Sequence, residues 1–342
     1  MFKSAWITAP ETISILDKKT PELGARDVQI KVKSCGICGT DIHYYRDFPG
    51  GSPLALGHEV AGVIESVGAE VRHLSPGDNV VVQNNIACGI CEQCLNQNPQ
   101  ACTDILTYMD DYAGMAEYLT VPDLMAIKYD GLSHAEAALA EPLTVSLDLW
   151  REAAVSLGDD VLIIGPGIIG LGLIKLIEKS GARNIVVAGR NFDTTRGKIR
   201  KKTAESIGAT RCIDTADTEW KNRVKEDYPA GFRKVVVTAP PALIPDGIEL
   251  AGFGADIIYN GINFKDDILQ ISANELHFQK KHLKTSHAIP NWGFPIALDL
   301  LKTGEIKAEL LLTDRFPLNQ IEKAFDRAQA IDEPVIKVVV DF

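Results

Sequence analysis

Four cysteines, Cys88, Cys91, Cys94 and Cys102, are spaced C-x2-C-x2-C-x7-C. Thiolates gathered this closely can close a tetrahedral cage around Zn²⁺ with no open position, a site that orders a loop and activates no water. Iron–sulfur clusters also take four thiolates, at other typical spacings; four free thiols on a loop are the plain alternative. A second set of donors is scattered. CGICGTDIH carries Cys35, Cys38, Thr40, Asp41 and His43; GHE carries His58 and Glu59; AEP carries Glu141. Thiolate, imidazole and carboxylate can hold a catalytic zinc if they converge and leave one position to water or substrate. Spacing does not decide convergence. Cys35 and Cys38 would equally serve as a C-x-x-C redox pair, and His58 as an ordinary buried histidine.

A third stretch, VLIIGPGIIG, runs an apolar strand into Gly165, Gly167, Ile168, Ile169 and Gly170 and then into a helical pattern. Strand, glycine turn and helix in that order predict dinucleotide binding, with the pyrophosphate at the open N–H groups of the helix start. A bare tight turn in an α/β core is the alternative. An NAD site of this type carries an acid about twenty residues on, bonding the ribose 2′-hydroxyl. Here the second strand ends in Gly189, Arg190 and Asn191. Without the carboxylate a 2′-phosphate is not repelled, and Arg190 can pair with it, so the charge pattern favours NADP over NAD. Arg196, Lys198 and Arg200 could add charge or form a solvated helix face; Asp193 as a displaced ribose acid would restore NAD.

The elements that must position these groups fall into two regimes. Residues 1–125 read as short strands, with Val28, Ile30 and Val32 alternating with polar residues and apolar runs at Val60–Val67 and Val80–Val82. Ser133 and Glu136 have capping-box spacing, predicting one helix from there toward Trp150. From Gly158 strands alternate with helices: 161–164, 185–188, 234–237 and 255–259 predict a parallel sheet. The tail returns with helices near 292–303 and 319–330 and a strand at Ile336–Val340. The expectation is an α/β protein: a discontinuous β-rich catalytic domain of residues 1–150 and 288–342, and a doubly wound Rossmann domain of residues 151–287.

At 342 residues the chain can build two cores, and its formal charge of −11 makes nucleic acid and anionic membrane poor partners. MFKSAWITAP lacks the apolar core of a secretory signal, and the longest apolar run is too short and too glycine-rich for a membrane span. Seven cysteines then suggest metal ligands in a cytoplasmic protein.

CGICGTDIH, LGHEVAGVI, the four-cysteine lobe, AEPL and GPGIIG together, over essentially the whole chain, resemble the zinc-dependent medium-chain dehydrogenases/reductases, most of all their polyol (sorbitol) dehydrogenase branch. The resemblance implies a GroES-like catalytic domain, a homo-oligomer (dimer or tetramer), and a catalytic zinc on Cys38 and His58, with Glu59 and Glu141 completing or exchanging at the site. Glu141 stands where alcohol dehydrogenases usually have cysteine. Cys35 becomes a packed neighbour, Cys212 a core residue and Asp41 an orienting group. The implied chemistry is hydride transfer from a secondary alcohol to nicotinamide. Thr40 accepts the hydroxyl proton, and the relay ends at His43; as plain turn formers, Thr40 and Asp41 would have no such role. Tyr44 matches a substrate-pocket position. Ser286–Trp292 departs from the Arg-Tyr pair of sorbitol dehydrogenases, and the stretch between Gly189 and Ile207 is longer than usual. The expected substrate is therefore a polyol, sugar or cyclitol. Aldose 1-dehydrogenation is the alternative, and a non-catalytic NADPH sensor the remoter one.

Overall fold

A computed structural model describes residues 1–109, 113–263, 265 and 267–342. The chain divides into two compact units, Met1–Thr144 with Ile289–Ala330 and Lys337–Phe342, and Val145–Ala288 with Ile331–Ile336. The first division falls after Thr144, inside the helix Ala140–Ala153.

The first unit is built around the strand Asp27–Gly36, where Val28, Ile30 and Val32 alternate inward and are fully buried. This strand pairs antiparallel with Glu59–Val67, with Tyr118–Pro122 and with the terminal strand Lys337–Asp341. Glu59–Val67 pairs in turn with Asn79–Val82, completing much of a seven-stranded sheet. Its β-rich character is as the alternation predicts. The capping box at Ser133 forms: Glu136 N–H donates to Ser133 Oγ at 3.3 Å and Ser133 N–H to Glu136 Oε2 at 2.8 Å. The single helix expected beyond it does not. A four-residue helix, His134–Ala137, is followed by a separate one, Ala140–Ala153, which begins just before Glu141.

The second unit carries a six-stranded all-parallel sheet, ordered Arg211–Asp214, Asn184–Gly189, Asp160–Ile164, Phe232–Val237, Ala251–Tyr259, His282–Thr285. Val161 to Ile164 are at most 1% exposed, the continuous apolar run that a strand covered on both faces requires. The four central strands are those the sequence pattern predicts. The two outer ones, RCID and HLKT, escape it because edge strands keep polar residues and lack such a run.

Candidate active site

The four-cysteine lobe closes on itself. Cys88, Cys91, Cys94 and Cys102 have ligand atoms all within 4.8 Å of one another. Sγ separations are 3.6 Å for Cys88–Cys102, 3.8 Å for Cys91–Cys102 and 4.0 Å for Cys88–Cys94. A disulfide needs about 2.05 Å, whereas a tetrahedron with Zn–S bonds of about 2.3 Å has edges of about 3.8 Å. The sulfurs also collect backbone donors, Cys88 N–H onto Cys102 Sγ and Cys91 N–H onto Cys88 Sγ, both 3.3 Å. The backbone N–H groups of Thr103 and Cys94 pull the Cys91 thiol down to about 6. Burial and the neighbouring sulfurs push the Cys94 thiol up to about 12, as expected of thiols crowded together without a cation, and the tetrahedral spacing of the donor set fits zinc.

The second cluster is assembled from distant segments. Cys38 is the N-cap of the helix Gly39–Arg46, and Glu59 opens the strand Glu59–Val67 with His58 just before it. Cys38, His58 and Glu59 offer ligand atoms within 4.8 Å of one another. Asp41 ties the two segments together: its Oδ2 accepts the Cys38 N–H at 2.9 Å and its Oδ1 the Gly57 N–H at 3.2 Å. Thr40 Oγ1 lies 3.8 Å from Cys38 Sγ. His43 faces Asp47, Nδ1 to Oδ2 3.5 Å, and its ring lies 5.8 Å from that of Tyr44. Glu141 is buried but falls outside the three-residue group. Cys35 is wholly buried, its Sγ turned to the Gly36 carbonyl at 3.7 Å, and it falls outside the three-residue group. Cys212 is only partly buried, with Sγ turned to the Lys201 carbonyl.

The charges of this cluster call for a cation. Burial opposes the protonation of His58, yet the Cys38 thiolate beside it, with Asp41 and Glu141 behind, holds its pKa well above the ordinary value. Burial pushes the Glu141 carboxyl up to about 7, with Glu59 adding to the effect and His58 opposing it. His58 Nδ1 and Glu59 Oε2 are buried and have no hydrogen-bond partner among the described residues. Buried polar atoms are rarely left unpaired. Two orphans within a thiolate–imidazole–carboxylate set fit a bound divalent metal.

Lys337 is the residue the sequence reading missed. Its Nζ donates to Glu59 Oε1 and, at 2.8 Å, to the Ile37 carbonyl, and both Lys337 and Glu59 are at most 3% exposed. A Cβ at Gly36 would lie 1.8 Å from Glu59 Oε2, so only glycine leaves that carboxylate its place. The signal was a lone lysine inside the apolar run VIKVVV, which must find an acid if that strand is central.

In the second unit the glycine turn is formed as its spacing predicts. Gly167 caps the helix Ile168–Lys179, and the first intrahelical bond runs from Leu171 N–H to the Gly167 carbonyl, leaving the N–H groups of Ile168, Ile169 and Gly170 open. A Cβ at Gly167 would meet nothing within 4 Å, whereas one at Gly170 would lie 2.1 Å from the Gly165 carbonyl oxygen. The first glycine admits a ligand and the second lets helix and strand touch, a cradle that fits a pyrophosphate. At Gly189 a Cβ would run into the Phe192 ring at 2.6 Å and Pro166 at 2.7 Å, so packing itself excludes an acid there. Arg190 follows, exposed, and Asn191 takes a left-handed φ of 59°. Asp214 holds this turn, accepting from Asn191 N–H at 2.9 Å and Phe192 N–H at 2.6 Å. Arg196 is half-buried in the first turn of the helix Thr195–Ser206, its N–H on the Ile331 carbonyl. One turn on, burial and the Arg196 charge push Arg200 down to about 9, and its Nε has no partner among the described residues. This face is basic and not simply solvated.

Two family descriptions match the chain: alcohol dehydrogenase GroES-like domain over residues 24–131, and zinc-binding dehydrogenase over residues 169–303. The chain is 30% identical over 353 residues to the L-arabinitol 4-dehydrogenase of Aspergillus oryzae, covering 94% of this chain and 88% of that one. It is 29% identical over 342 residues to the L-galactonate-5-dehydrogenase of Escherichia coli, covering 97% of each. Among solved structures, a zinc-binding dehydrogenase from Sinorhizobium meliloti bound to NADP superposes with a TM-score of 0.87 at 28% identity, over 100% of this chain and 99% of that one.

Proposed function

The chain belongs to the zinc-dependent medium-chain dehydrogenase/reductase superfamily, in its polyol dehydrogenase-like branch, and from that premise we propose that it moves hydride between NADP and a secondary hydroxyl or ketone of a polyol, sugar or cyclitol. The observation that carries this reading is the convergence of Cys38, His58 and Glu59, with two orphaned buried atoms, in a chain that also builds a pyrophosphate cradle. Cys38, His58 and Glu59 hold the catalytic zinc, Glu141 stands ready to exchange with Glu59, and the four-cysteine lobe holds a structural zinc. When bound, zinc supplies Lewis acidity toward an alcohol oxygen, and the nicotinamide supplies a hydride acceptor. Asp41 keeps the Cys38 and His58 segments in register through its two backbone bonds. Thr40, beside Cys38 Sγ, takes the hydroxyl proton, and His43, backed by Asp47, passes it outward. Tyr44, next on the same helix, borders the substrate.

NADP is favoured over NAD because Gly189 offers no carboxylate and Arg190 follows it in the open, with Arg196 adding charge. The reading extends to a cytoplasmic homo-oligomer. All seven cysteines are free, which supports a reducing compartment, and no helix among the described residues is long and apolar enough to cross a membrane. Assembly is expected from the family.

The test is the initial rate of NADPH and NADH formation by zinc-replete protein on a panel of polyols, inositols and aldoses. Faster NADPH formation on a polyol is expected, and Arg190→Ala should weaken NADP about 10- to 100-fold, the loss of one charge-assisted contact, with little effect on NAD. A preference for NAD would contradict the cofactor reading, and a lactone product would indicate aldose 1-dehydrogenation.

A further inference from the structure

The turn that follows the strand Asn184–Gly189 is fastened on three sides. Toward the glycine turn, the Gly165 N–H donates to the Ala188 carbonyl at 2.9 Å. Toward the edge strand, Gly189 pairs with Asp214, and its carbonyl accepts the Thr215 N–H at 2.8 Å. Asp214 spends its carboxylate on backbone. Its Oδ1 accepts from the Asn191 and Ala216 N–H groups, both at 2.9 Å, and its Oδ2 from the Phe192 N–H at 2.6 Å. Toward the helix Thr195–Ser206, Thr194 donates to the Asn191 carbonyl through its N–H at 3.1 Å and its Oγ1 at 2.8 Å. The same Oγ1 accepts the Gly197 N–H at 3.1 Å. A Cβ at Gly197 would lie 2.0 Å from the Asn191 carbonyl oxygen, so the helix start presses directly on the turn.

What this fastening holds in place is the Phe192 ring, which is 7% exposed. A side chain growing from Gly189 would meet the ring at 2.6 Å and Pro166 of the glycine turn at 2.7 Å. The ring thus stands where the ribose acid of an NAD site would begin. A phenyl ring offers no acceptor to a ribose 2′-hydroxyl. Asp214 does not replace the missing acid, because three backbone N–H groups already engage it. Those donors also offset a charge that would otherwise repel a 2′-phosphate. Arg190 is left exposed two residues before the ring, free to pair with such a phosphate.

We propose that Phe192 is a determinant of cofactor choice: its ring fills the place of the ribose acid, and Asp214 positions ring and Arg190 together, so that a dinucleotide bringing its own 2′-phosphate is bound more tightly. This rests on the cofactor reading given above and assigns it to two further residues. Its consequence is that restoring the acid alone does not restore NAD. The carboxylate has no room until the ring is removed.

The test is the dissociation constants of NADP and NAD, by calorimetry without substrate, for zinc-replete wild type, Gly189→Asp, Phe192→Ala, the double variant and Asp214→Asn. Gly189→Asp should weaken NADP by about 10-fold or more and leave NAD within about twofold, with a lower melting temperature. In the double variant NAD should bind about 10- to 100-fold more tightly than in Gly189→Asp, the gain of a charge-assisted hydrogen bond. Its melting temperature should be no lower than that of Phe192→Ala, since the added carboxylate then meets no ring. Asp214→Asn should weaken NADP about 10-fold and NAD less than about twofold, because only NADP depends on where the turn holds Arg190. If Gly189→Asp does not fold, the double variant and Asp214→Asn carry the same test. A full gain of NAD affinity in Gly189→Asp alone, no gain in the double variant, or equal losses of both cofactors in Asp214→Asn would each overturn the proposal while leaving the dehydrogenase reading in place. Wild type that binds NAD more tightly contradicts the cofactor reading and the proposal with it; wild type that binds neither contradicts the dehydrogenase reading itself.

Discussion

The molecule gathers thiols and metal donors twice, by opposite means. The lobe of Cys88, Cys91, Cys94 and Cys102 takes all its ligands from one short stretch, with sulfurs at tetrahedral edge lengths and backbone N–H groups already on them. Its cysteines are only partly buried, so this stretch has little core, and we propose that a metal stands in for one. The cluster in the same unit has His58 and Glu59 buried and Cys38 partly so, draws on separate segments, and is held by groups outside the three-residue set: Asp41 across the two segments and Lys337 from the terminal strand. A closed cage gives stability; an open one, with orphaned atoms facing it, gives chemistry.

That difference sets unequal costs. Replacing Cys94 with serine removes a ligand from a stretch that depends on the metal for folding, where binding is worth on the order of 10 kcal/mol in small domains. It should open residues 85–107 to proteolysis and lower the melting temperature, with a smaller effect on kcat. Cys38→Ala should do the reverse: the fold survives on its own core, and kcat/KM falls on the order of 10³-fold, as expected when several kcal/mol of Lewis-acid stabilisation are lost. If both variants mainly lost stability, the two sites would not differ in kind.

The same contrast explains what the sequence disclosed. The lobe is legible from spacing alone because its ligands are local. The glycine turn is legible because strand, turn and helix are contiguous, and the four central strands of the parallel sheet because both faces are covered. Cys38, His58 and Glu59 carry no local signature of convergence; only the order of motifs along the whole chain, through family resemblance, joined them. Lys337 stands out only as a lone lysine in an apolar run, and its partner was hidden for the same reason: it reaches Glu59 because the terminal strand pairs with Ser34–Gly36, a contact made by topology. The continuous helix expected from Ser133 failed because its capping box serves only a four-residue turn.

Two smaller effects follow from the non-local cluster. In the metal-free protein Lys337→Met leaves Glu59 buried and without its cation, which should cost about 3 to 5 kcal/mol in denaturant unfolding. Lys337→Met with Glu59→Gln together should cost much less, since no unpaired charge remains. Asp41→Asn keeps the shape but weakens the bonds to Cys38 and Gly57 N–H, and should reduce zinc affinity at the cluster about 10- to 100-fold, read by competition with a chelator. Asp41 bonds to Cys38 and Gly57 and not to the lobe among the described residues, so chelation there should be unchanged.

The most direct measurement is zinc content per chain, by elemental analysis, in wild type, Cys38→Ala and Cys94→Ser purified with zinc present. Two ions in wild type, one in each variant, and dehydrogenase activity lost with the Cys38 ion are the predicted result. Two ions retained in Cys38→Ala, or a single ion in an active wild type, would contradict the division into a structural and a catalytic metal.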